Sequence, residues 1–179
     1  MIKIIDMNFL IKIGIFLFYQ IYALTSFSYE NLYEGIISKV IDGDTVYAEI
    51  EFENGDRLAK NKTKKIRLVG IDAPEISQPF GKESKAMLES YLLNLHTKIY
   101  VYGSDRYKRL LAKLVINEKD INLMMVHEGG AWFYVKYKNT LESSDQKLYE
   151  EAHYKAMINK QGLWGFDNPI SPWEWRIKN

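Results

Sequence analysis

The sequence predicts an α+β fold that is mainly β, in which five strands form a small closed barrel and about three α-helices pack against it. Two observations lead to this prediction. Segments rich in β-branched and aromatic residues dominate the first half of the chain, and apolar residues at helical spacing follow in the second half. The chain has 179 residues, 47% hydrophobic and 26% charged, which suits one domain with a proper core.

The first 28 residues differ from the rest of the chain. Lys3 and Lys12 flank a sparsely charged start, an uncharged run covers residues 13–24, and the small residues Ser26 and Ser28 follow. This layout is typical of a secretory signal peptide cleaved after Ser28, so we expect a secreted or periplasmic protein. The uncharged run is shorter than the about 20 residues that a membrane span needs. An uncleaved membrane anchor is the alternative, because residues 9–11 extend the apolar stretch across Lys12.

The charge and cysteine content limit the classes of function. Without residues 1–28 the chain keeps 22 basic and 22 acidic side chains, so its net charge does not indicate nucleic-acid binding, and any such binding must come from local clusters. The absence of cysteine excludes disulfides, thiolate metal sites and a cysteine nucleophile. We predict an export segment (1–28), a domain (29–168) and a C-terminal tail (169–179).

The strands follow in chain order. Residues 33–41 and 45–52 are predicted to form a hairpin through the Asp-Gly-Asp turn at 42–44. A polar loop at 53–65 leads into an apolar strand that ends at Ile71. Strand character returns at 97–103 and 110–116.

Three helices are predicted between and after these strands. Residues 80–94 contain an amphipathic helix, 120–130 contain a short helix with an Asp cap, and a last helix runs from about 143 to 160 with Leu148, Ala152 and Ala156 on its buried face. Strands in sequence wrapped by three helices favour a Greek-key barrel of the oligonucleotide/oligosaccharide-binding (OB) type.

Two acidic clusters stand at strand ends. Asp42 and Asp44 share one turn, where aspartates are common for conformational reasons alone. Asp72 and Glu75 follow a different strand, and the two strand ends can converge on one rim of a small barrel. Because Ca²⁺ binds several oxygen ligands, two aspartates with a backbone carbonyl and water would make a plausible site.

Pro74 separates Asp72 from Glu75 and restricts the backbone on both sides of itself, so the chain turns sharply there. The two carboxylates can then face one cleft in different roles. A carboxylate that the metal does not engage can accept a proton from water as a general base. Without a neighbouring arginine, an ordinary loop position would be the better interpretation of Glu75.

Arg67 lies inside the apolar run, on the opposite face from Ile66 and Leu68. Its guanidinium must find an anion or water. It either forms an internal ion pair with one of the acidic residues or points a fork of donors at a phosphate, and the sequence leaves both open.

A second basic segment contains Arg106, Tyr107, Lys108 and Arg109. A solvated hairpin turn is an adequate explanation of Arg106 and Lys108 individually. Two arginines, a hard cation and a carboxylate base are, however, the parts that phosphodiester hydrolysis requires. Tyr107 and Tyr137 would offer stacking surfaces for bases, and four lysines at 60, 62, 64 and 65 would follow a phosphate backbone if they are not simply solvated.

The chain resembles the staphylococcal (micrococcal) nuclease family, over nearly the whole chain after residue 28. The blocks that carry the resemblance are VIDGDT (40–45), IRLVGIDAPE (66–75), DRYKR (105–109), GGAW (129–132) and GLW (162–164), and PWEWR (172–176) looks like the tail of exported bacterial members. Lys108 departs from the family, which usually has glycine there. The connection from Glu75 to Phe80 is shorter, and the loop at 53–65 longer, than is usual in the family.

The resemblance implies an OB-fold barrel and calcium-dependent endonucleolytic cleavage of DNA and RNA that leaves 3′-phosphate ends. By position, it assigns Ca²⁺ binding to Asp44, Asp72 and the Ala73 carbonyl, and an indirect role through water to Asp42. It assigns the general base to Glu75, phosphate binding to Arg67 and Arg109, and substrate contacts to Arg106, Tyr107 and Tyr137.

Two other functions remain open at this point. The chain could be a non-catalytic nucleic-acid-binding barrel, or a structural or adhesion domain in which calcium serves stability alone. A binding module would not need Arg67, Asp44, Asp72, Glu75 and Arg109 together, and a structural domain leaves both arginines unexplained. We expect a monomer with no protein partner, in contact with a membrane only if the N-terminal segment is uncleaved.

Overall fold

The structure, a computed structural model, describes residues 31–51 and 62–179. The predicted signal segment (1–28), Lys60 and most of the predicted loop at 53–65 lie outside the described residues. Within the described ranges, no helix is long and apolar enough to cross a membrane.

The strands of the described residues form a barrel and a small ladder beside it. The strands are β1 (Asn31–Asp42), β2 (Thr45–Glu51), β3 (Lys62–Leu68), β4 (Ile71–Asp72), β5 (His96–Ser104), β6 (Leu110–Ile116), β7 (Lys119–Asp120) and β8 (Trp132–Phe133). Five of them run in the order β3-β2-β1-β5-β6, and parallel pairing of β3 with β6 closes the barrel. Because β5 returns to lie beside β1, the order is that of a Greek key. The predicted five-stranded barrel is confirmed.

Four α-helices surround the barrel in the part of the chain that the structure describes. They are α1 (Gly81–Leu92), α2 (Ile121–His127), α3 (Ser143–Ile158) and α4 (Pro172–Lys178). The first three confirm the prediction, and Asp120 caps α2 by accepting a hydrogen bond from Leu123 N–H. Helix α4 was not predicted and lies in the segment interpreted as a tail. Its signals were present, because Ser171 and Glu174 form a capping box and proline occupies the first turn.

The third strand differs from its prediction at both ends. It begins at Lys62, so Lys64 and Lys65 belong to the barrel and not to a loop. It ends at Leu68, because Gly70 turns the chain in the left-handed region at φ +75°. Ile71–Asp72 then pairs antiparallel with Trp132–Phe133 as a separate ladder.

Buried residues recur at the spacing expected for strands and helices, except at two places where the buried position is displaced. In β1, Gly35 and Ile37 are buried, and an irregularity after Ile37 moves the buried position to Val40. In α3, the buried face consists of Tyr149, Ala152 and Ala156, and not of Leu148, which is half exposed. The prediction for Leu148 was wrong by one residue, because the fully buried Tyr149 donates a hydrogen bond from its hydroxyl to the partly buried Asp120 carboxylate at 2.8 Å.

Candidate active site

One end of the barrel opens into a pocket of about 770 Å³. Six parts of the chain form its wall: the β1–β2 turn, the ends of β3 and β4, the β5–β6 connection, the 3₁₀ helix Val135–Thr140 and helix α4. The predicted site residues on this wall are Asp42, Asp44, Arg67, Asp72, Ala73, Glu75, Arg106, Tyr107, Arg109 and Tyr137. Segments far apart in the sequence therefore meet where the acidic clusters were expected to converge.

The β1–β2 turn places Asp44 against the end of β4. Asp42 Oδ1 accepts a hydrogen bond from Asp44 N–H at 3.0 Å, and Asp44 Oδ2 accepts one from Ala73 N–H at 2.8 Å. Gly43 permits this approach, because a Cβ there would overlap Ser84 Oγ and lie 2.7 Å from Ala73 Cβ. The carboxylate of Asp44 thus lies beside the segment that carries Asp72.

Arg67 joins the two acidic strand ends. Its Nη1 donates to the carbonyls of Leu68 (2.7 Å) and Ile71 (2.8 Å), which fixes the guanidinium plane. Its Nη2 lies 2.9 Å from Asp72 Oδ1 and 3.1 Å from Asp44 Oδ2. The internal ion pair, one of the two alternatives left open by the sequence, is therefore present, while phosphate binding by Arg67 stays a prediction.

Glu75 sits in a compact loop just after Pro74. Its N–H donates to Gln78 Oε1 at 3.1 Å, and its carbonyl accepts from Gln78 N–H at 2.8 Å. Gly81, at the start of α1, packs so closely that a Cβ there would overlap the Glu75 carbonyl. The backbone of Glu75 is held firmly, and its carboxylate reaches the pocket.

Sequence reasoning missed Arg176, which reaches the pocket from helix α4. Nη2 lies 2.7 Å from Asp72 Oδ2, and Nη1 lies 2.8 Å from Glu75 Oε1. The capping box could have revealed the helix, but nothing local connects Arg176 with a residue 104 positions away.

The carboxylates repel one another in this buried setting. Burial, together with the neighbouring Asp44 charge, raises the pKa of Asp42 to about 7. Burial also raises the pKa of Asp72, although its hydrogen bond from Arg176 acts in the opposite direction. The guanidiniums of Arg67 and Arg176 both form ion pairs with this acidic cluster.

This donor set fits a hard divalent cation. Among residues 31–51 and 62–179, no group of three or more His, Cys, Asp or Glu side chains has the arrangement of a metal site. The predicted set needs only two carboxylates, Asp44 and Asp72, with the Ala73 carbonyl and water. Oxygen ligands of this kind suit Ca²⁺, and a cation beside the two buried carboxylates would offset their negative charges.

We expect Asp42→Asn to stabilise the metal-free protein at neutral pH. Asn can still accept the hydrogen bond from Asp44 N–H but adds no charge. The pKa of Asp42 rises on folding from about 3.8 to about 7, so its contribution to stability is present below pH 4 and is lost as the pH rises to 7. Urea unfolding in chelator should show a gain of about 1–3 kcal/mol at pH 8 that shrinks toward pH 4. A gain that is equal at both pH values would contradict this origin.

Arg109 is held by an acidic partner that sequence reasoning also missed. Asp105 Oδ2 accepts from Arg109 Nε at 2.7 Å, and Asp105 Oδ1 accepts from the N–H groups of Tyr107 and Arg109. Although burial acts to raise the pKa of Asp105, the hydrogen bonds from Arg109 and Tyr107 hold it below the usual value. Lys108 adopts φ +62°, the left-handed conformation that favours glycine.

The predicted substrate-contact residues lie on the rim. Tyr107 and Tyr137 are 65% and 53% exposed, which leaves ring surface available for stacking. Arg106 donates to the Tyr107 hydroxyl at 2.7 Å, and Tyr137 packs edge-on against Tyr134 with ring centroids 5.0 Å apart. Lys64 and Lys65 lie on β3 and do not line the pocket.

Comparison with known proteins identifies similar chains in bacteria and plants. Residues 65–165 match the family model described as staphylococcal nuclease homologue. An uncharacterized endonuclease of Haemophilus influenzae is 38% identical over 141 residues, which cover 78% of this chain and 71% of the relative. An uncharacterized endonuclease of Escherichia coli is 32% identical over 143 residues, covering 79% and 84%.

A plant relative matches as closely but is much longer. The staphylococcal-like nuclease CAN1 of Arabidopsis thaliana is 39% identical over 130 residues, which cover 73% of this chain and 38% of the plant protein. The similarity is thus confined to a little over a third of that relative, whereas it covers most of the two bacterial proteins.

Proposed function

Because the chain belongs to the staphylococcal nuclease family, we propose that it is a calcium-dependent endonuclease that hydrolyses phosphodiester bonds of DNA and RNA and leaves 3′-phosphate ends. The family match and the relatives named endonucleases support a nuclease of the hydrolase class. One observation carries the proposal, namely that the guanidiniums of Arg67 and Arg109 line a single pocket together with the carboxylates of both acidic clusters.

The two acidic clusters supply the ion site and the base. Asp44, Asp72 and the Ala73 carbonyl would hold Ca²⁺, and Asp42 would act on it through water. When bound, the ion supplies positive charge that offsets the charge of the phosphate. Glu75 is held at the pocket by its loop and is less buried than Asp72, which suits a group that must accept a proton from water.

The reaction proposed for these side chains is hydrolysis at phosphorus. Glu75 accepts a proton from the attacking water, whose oxygen forms a bond to phosphorus as the bond from phosphorus to the 5′-oxygen breaks. The 5′-oxygen takes a proton from solvent water and leaves as a hydroxyl, and the phosphate remains on the 3′-oxygen. Arg67 and Arg109 would donate to the phosphate oxygens, where negative charge increases in the transition state.

The rim favours strands with accessible bases. Tyr107 and Tyr137 would stack on bases of single-stranded DNA or RNA, because stacking needs only the face of a base and is tolerant of sequence. Arg106 would contact the backbone beside them. We also propose that the protein is exported, on the support of the signal-like pattern in residues 1–28, and that it acts as a monomer.

Purified full-length protein should cut single-stranded DNA and RNA in Ca²⁺ and not in chelator. The new 5′-hydroxyl ends should accept label from polynucleotide kinase without prior phosphatase treatment. Protein that binds these substrates but cuts none with any divalent cation would refute the enzyme, undiminished cutting in chelator would refute the metal requirement, and 5′-phosphate products would refute the proposed bond cleavage.

A further inference from the structure

The guanidinium of Arg176 bridges two carboxylates that have different tasks in the proposed reaction. It contacts the metal-binding candidate Asp72 at 2.7 Å through Nη2 and the candidate base Glu75 at 2.8 Å through Nη1. We propose that Arg176 is a positioning residue, which holds the Glu75 carboxylate at a set place beside Asp72. This inference rests on the proposed function and extends the site to a helix beyond residues 65–165, where the family model matches.

Helix α4 is anchored to the ladder that carries Asp72. The Trp173 ring stacks on Tyr134 with centroids 5.2 Å apart and planes 13° apart, and it packs edge-on against Trp132 at 5.4 Å. Trp132 is the strand partner of Asp72, and Tyr134 N–H donates to the Gly70 carbonyl at 2.8 Å. The aromatic contacts therefore fix the helix relative to Asp72.

The chain entering α4 is tied to the loop that carries Glu75. Gln78, a buried side chain, donates through Nε2 to the Ile170 carbonyl at 2.6 Å and accepts through Oε1 from Glu75 N–H at 3.1 Å. The Gln78 side chain thus connects the loop that carries Glu75 with Ile170, just before α4. Arg176 and Gln78 hold Glu75 at its carboxylate and at its backbone.

The contacts leave Glu75 able to act as a base. Among the described residues, Arg176 is the only side chain that donates to the Glu75 carboxylate, and it uses Oε1. Oε2 therefore remains available to accept a proton from water. Arg176 makes no hydrogen bond to Asp44 within the described ranges, so among the acidic residues of the pocket it contacts Asp72 and Glu75. Small displacements of a catalytic group can lower the rate by about 100-fold, so the contact of Arg176 with Glu75 is expected to affect the rate.

The test compares full-length Arg176→Ala and Arg176→Lys with Lys178→Ala, which removes a charge from the same helix outside the pocket wall. Steady-state cleavage of a single-stranded oligonucleotide should show kcat lower by about 10- to 100-fold in Arg176→Ala, with KM within about threefold. Arg176→Lys should recover only part of this loss, because lysine lacks the two-nitrogen fork. Calorimetric titration with Ca²⁺ should give dissociation constants within about threefold of wild type.

A second variant removes the aromatic contacts of Trp173 that hold α4 in place, and it leaves the polar partners of Arg176 unchanged in sequence. Trp173→Leu should lower kcat as Arg176→Ala does. The double variant should have a kcat no lower than that of Arg176→Ala alone, because both changes disrupt the same contact of Arg176 with Glu75. Thermal melting checks that each variant is folded.

Four outcomes would overturn the positioning role. A raised KM with unchanged kcat in Arg176→Ala would make Arg176 a phosphate ligand. Tighter Ca²⁺ binding with faster cleavage in this variant would show that Arg176 blocks the metal site. Unchanged kinetics in Arg176→Ala, with active wild type, would remove Arg176 from the mechanism and leave the proposed function intact. Wild type that cuts no substrate would refute the proposed function and the positioning role together.

Discussion

Replacing Arg67 by alanine should lower the free energy of unfolding by about 3–5 kcal/mol and reduce kcat/KM by about 10³-fold or more. The side chain is only 14% exposed; it donates to two carbonyls and to the Asp72 carboxylate, and it forms an ion pair with Asp44. Its removal leaves the carboxylates of Asp44 and Asp72 buried without their shared partner. Urea unfolding in chelator and cleavage of an oligonucleotide in Ca²⁺ measure the two losses.

Arg109→Ala is the matched control for the stability loss. Arg109 pairs with a single carboxylate, that of Asp105, and is 25% exposed, so its loss should cost no more than about 1 kcal/mol. Saturating Ca²⁺ should restore part of the stability of Arg67→Ala, because an ion bound to the folded state alone stabilises it. A loss below about 1 kcal/mol in chelator would show that the carboxylates do not depend on Arg67.

The parts of the site that local sequence determines were predictable. Alternation along β3 placed Arg67 opposite Ile66 and Leu68, and its two carbonyl partners lie within four residues of it. The Asp-Gly-Asp turn indicated the hairpin, and strand order then brings its carboxylates to Asp72. Contacts between residues close in sequence, and a tight turn with few allowed conformations, restrict the backbone enough to be predicted from sequence.

The parts that depend on tertiary contact were not predictable in this way. Arg176 meets Asp72 across 104 positions, and only the packing of Trp173 against Trp132 and Tyr134 places it there. On α3, Ala152 and Ala156 were predicted correctly, but Leu148 was predicted in place of Tyr149, whose hydroxyl donates a hydrogen bond to Asp120. The break in β3 depended on one left-handed glycine, Gly70, inside an apolar run.

Replacing Glu75 by glutamine should lower kcat by about 10²–10⁴-fold while leaving the fold and Ca²⁺ binding nearly unchanged. Gln keeps the length of the side chain and a carbonyl oxygen for the hydrogen bond from Arg176, but it cannot take a proton from water at neutral pH. The Glu75 side chain is 38% exposed, so its ion pair contributes no more than about 1 kcal/mol to stability. Single-turnover cleavage at saturating Ca²⁺ measures the chemical step directly.

Glu83→Gln provides the matched control for Glu75→Gln, because Glu83 is an exposed glutamate at the start of α1 and does not line the pocket. It should cleave at the wild-type rate. Glu75→Asp keeps the charge but withdraws it by one methylene from the contact with Arg176, so it should retain activity between that of wild type and Glu75→Gln. A rate for Glu75→Gln within about threefold of wild type would exclude Glu75 as the base. A large loss of Ca²⁺ affinity in that variant, with full activity restored by excess Ca²⁺, would instead make Glu75 a metal ligand.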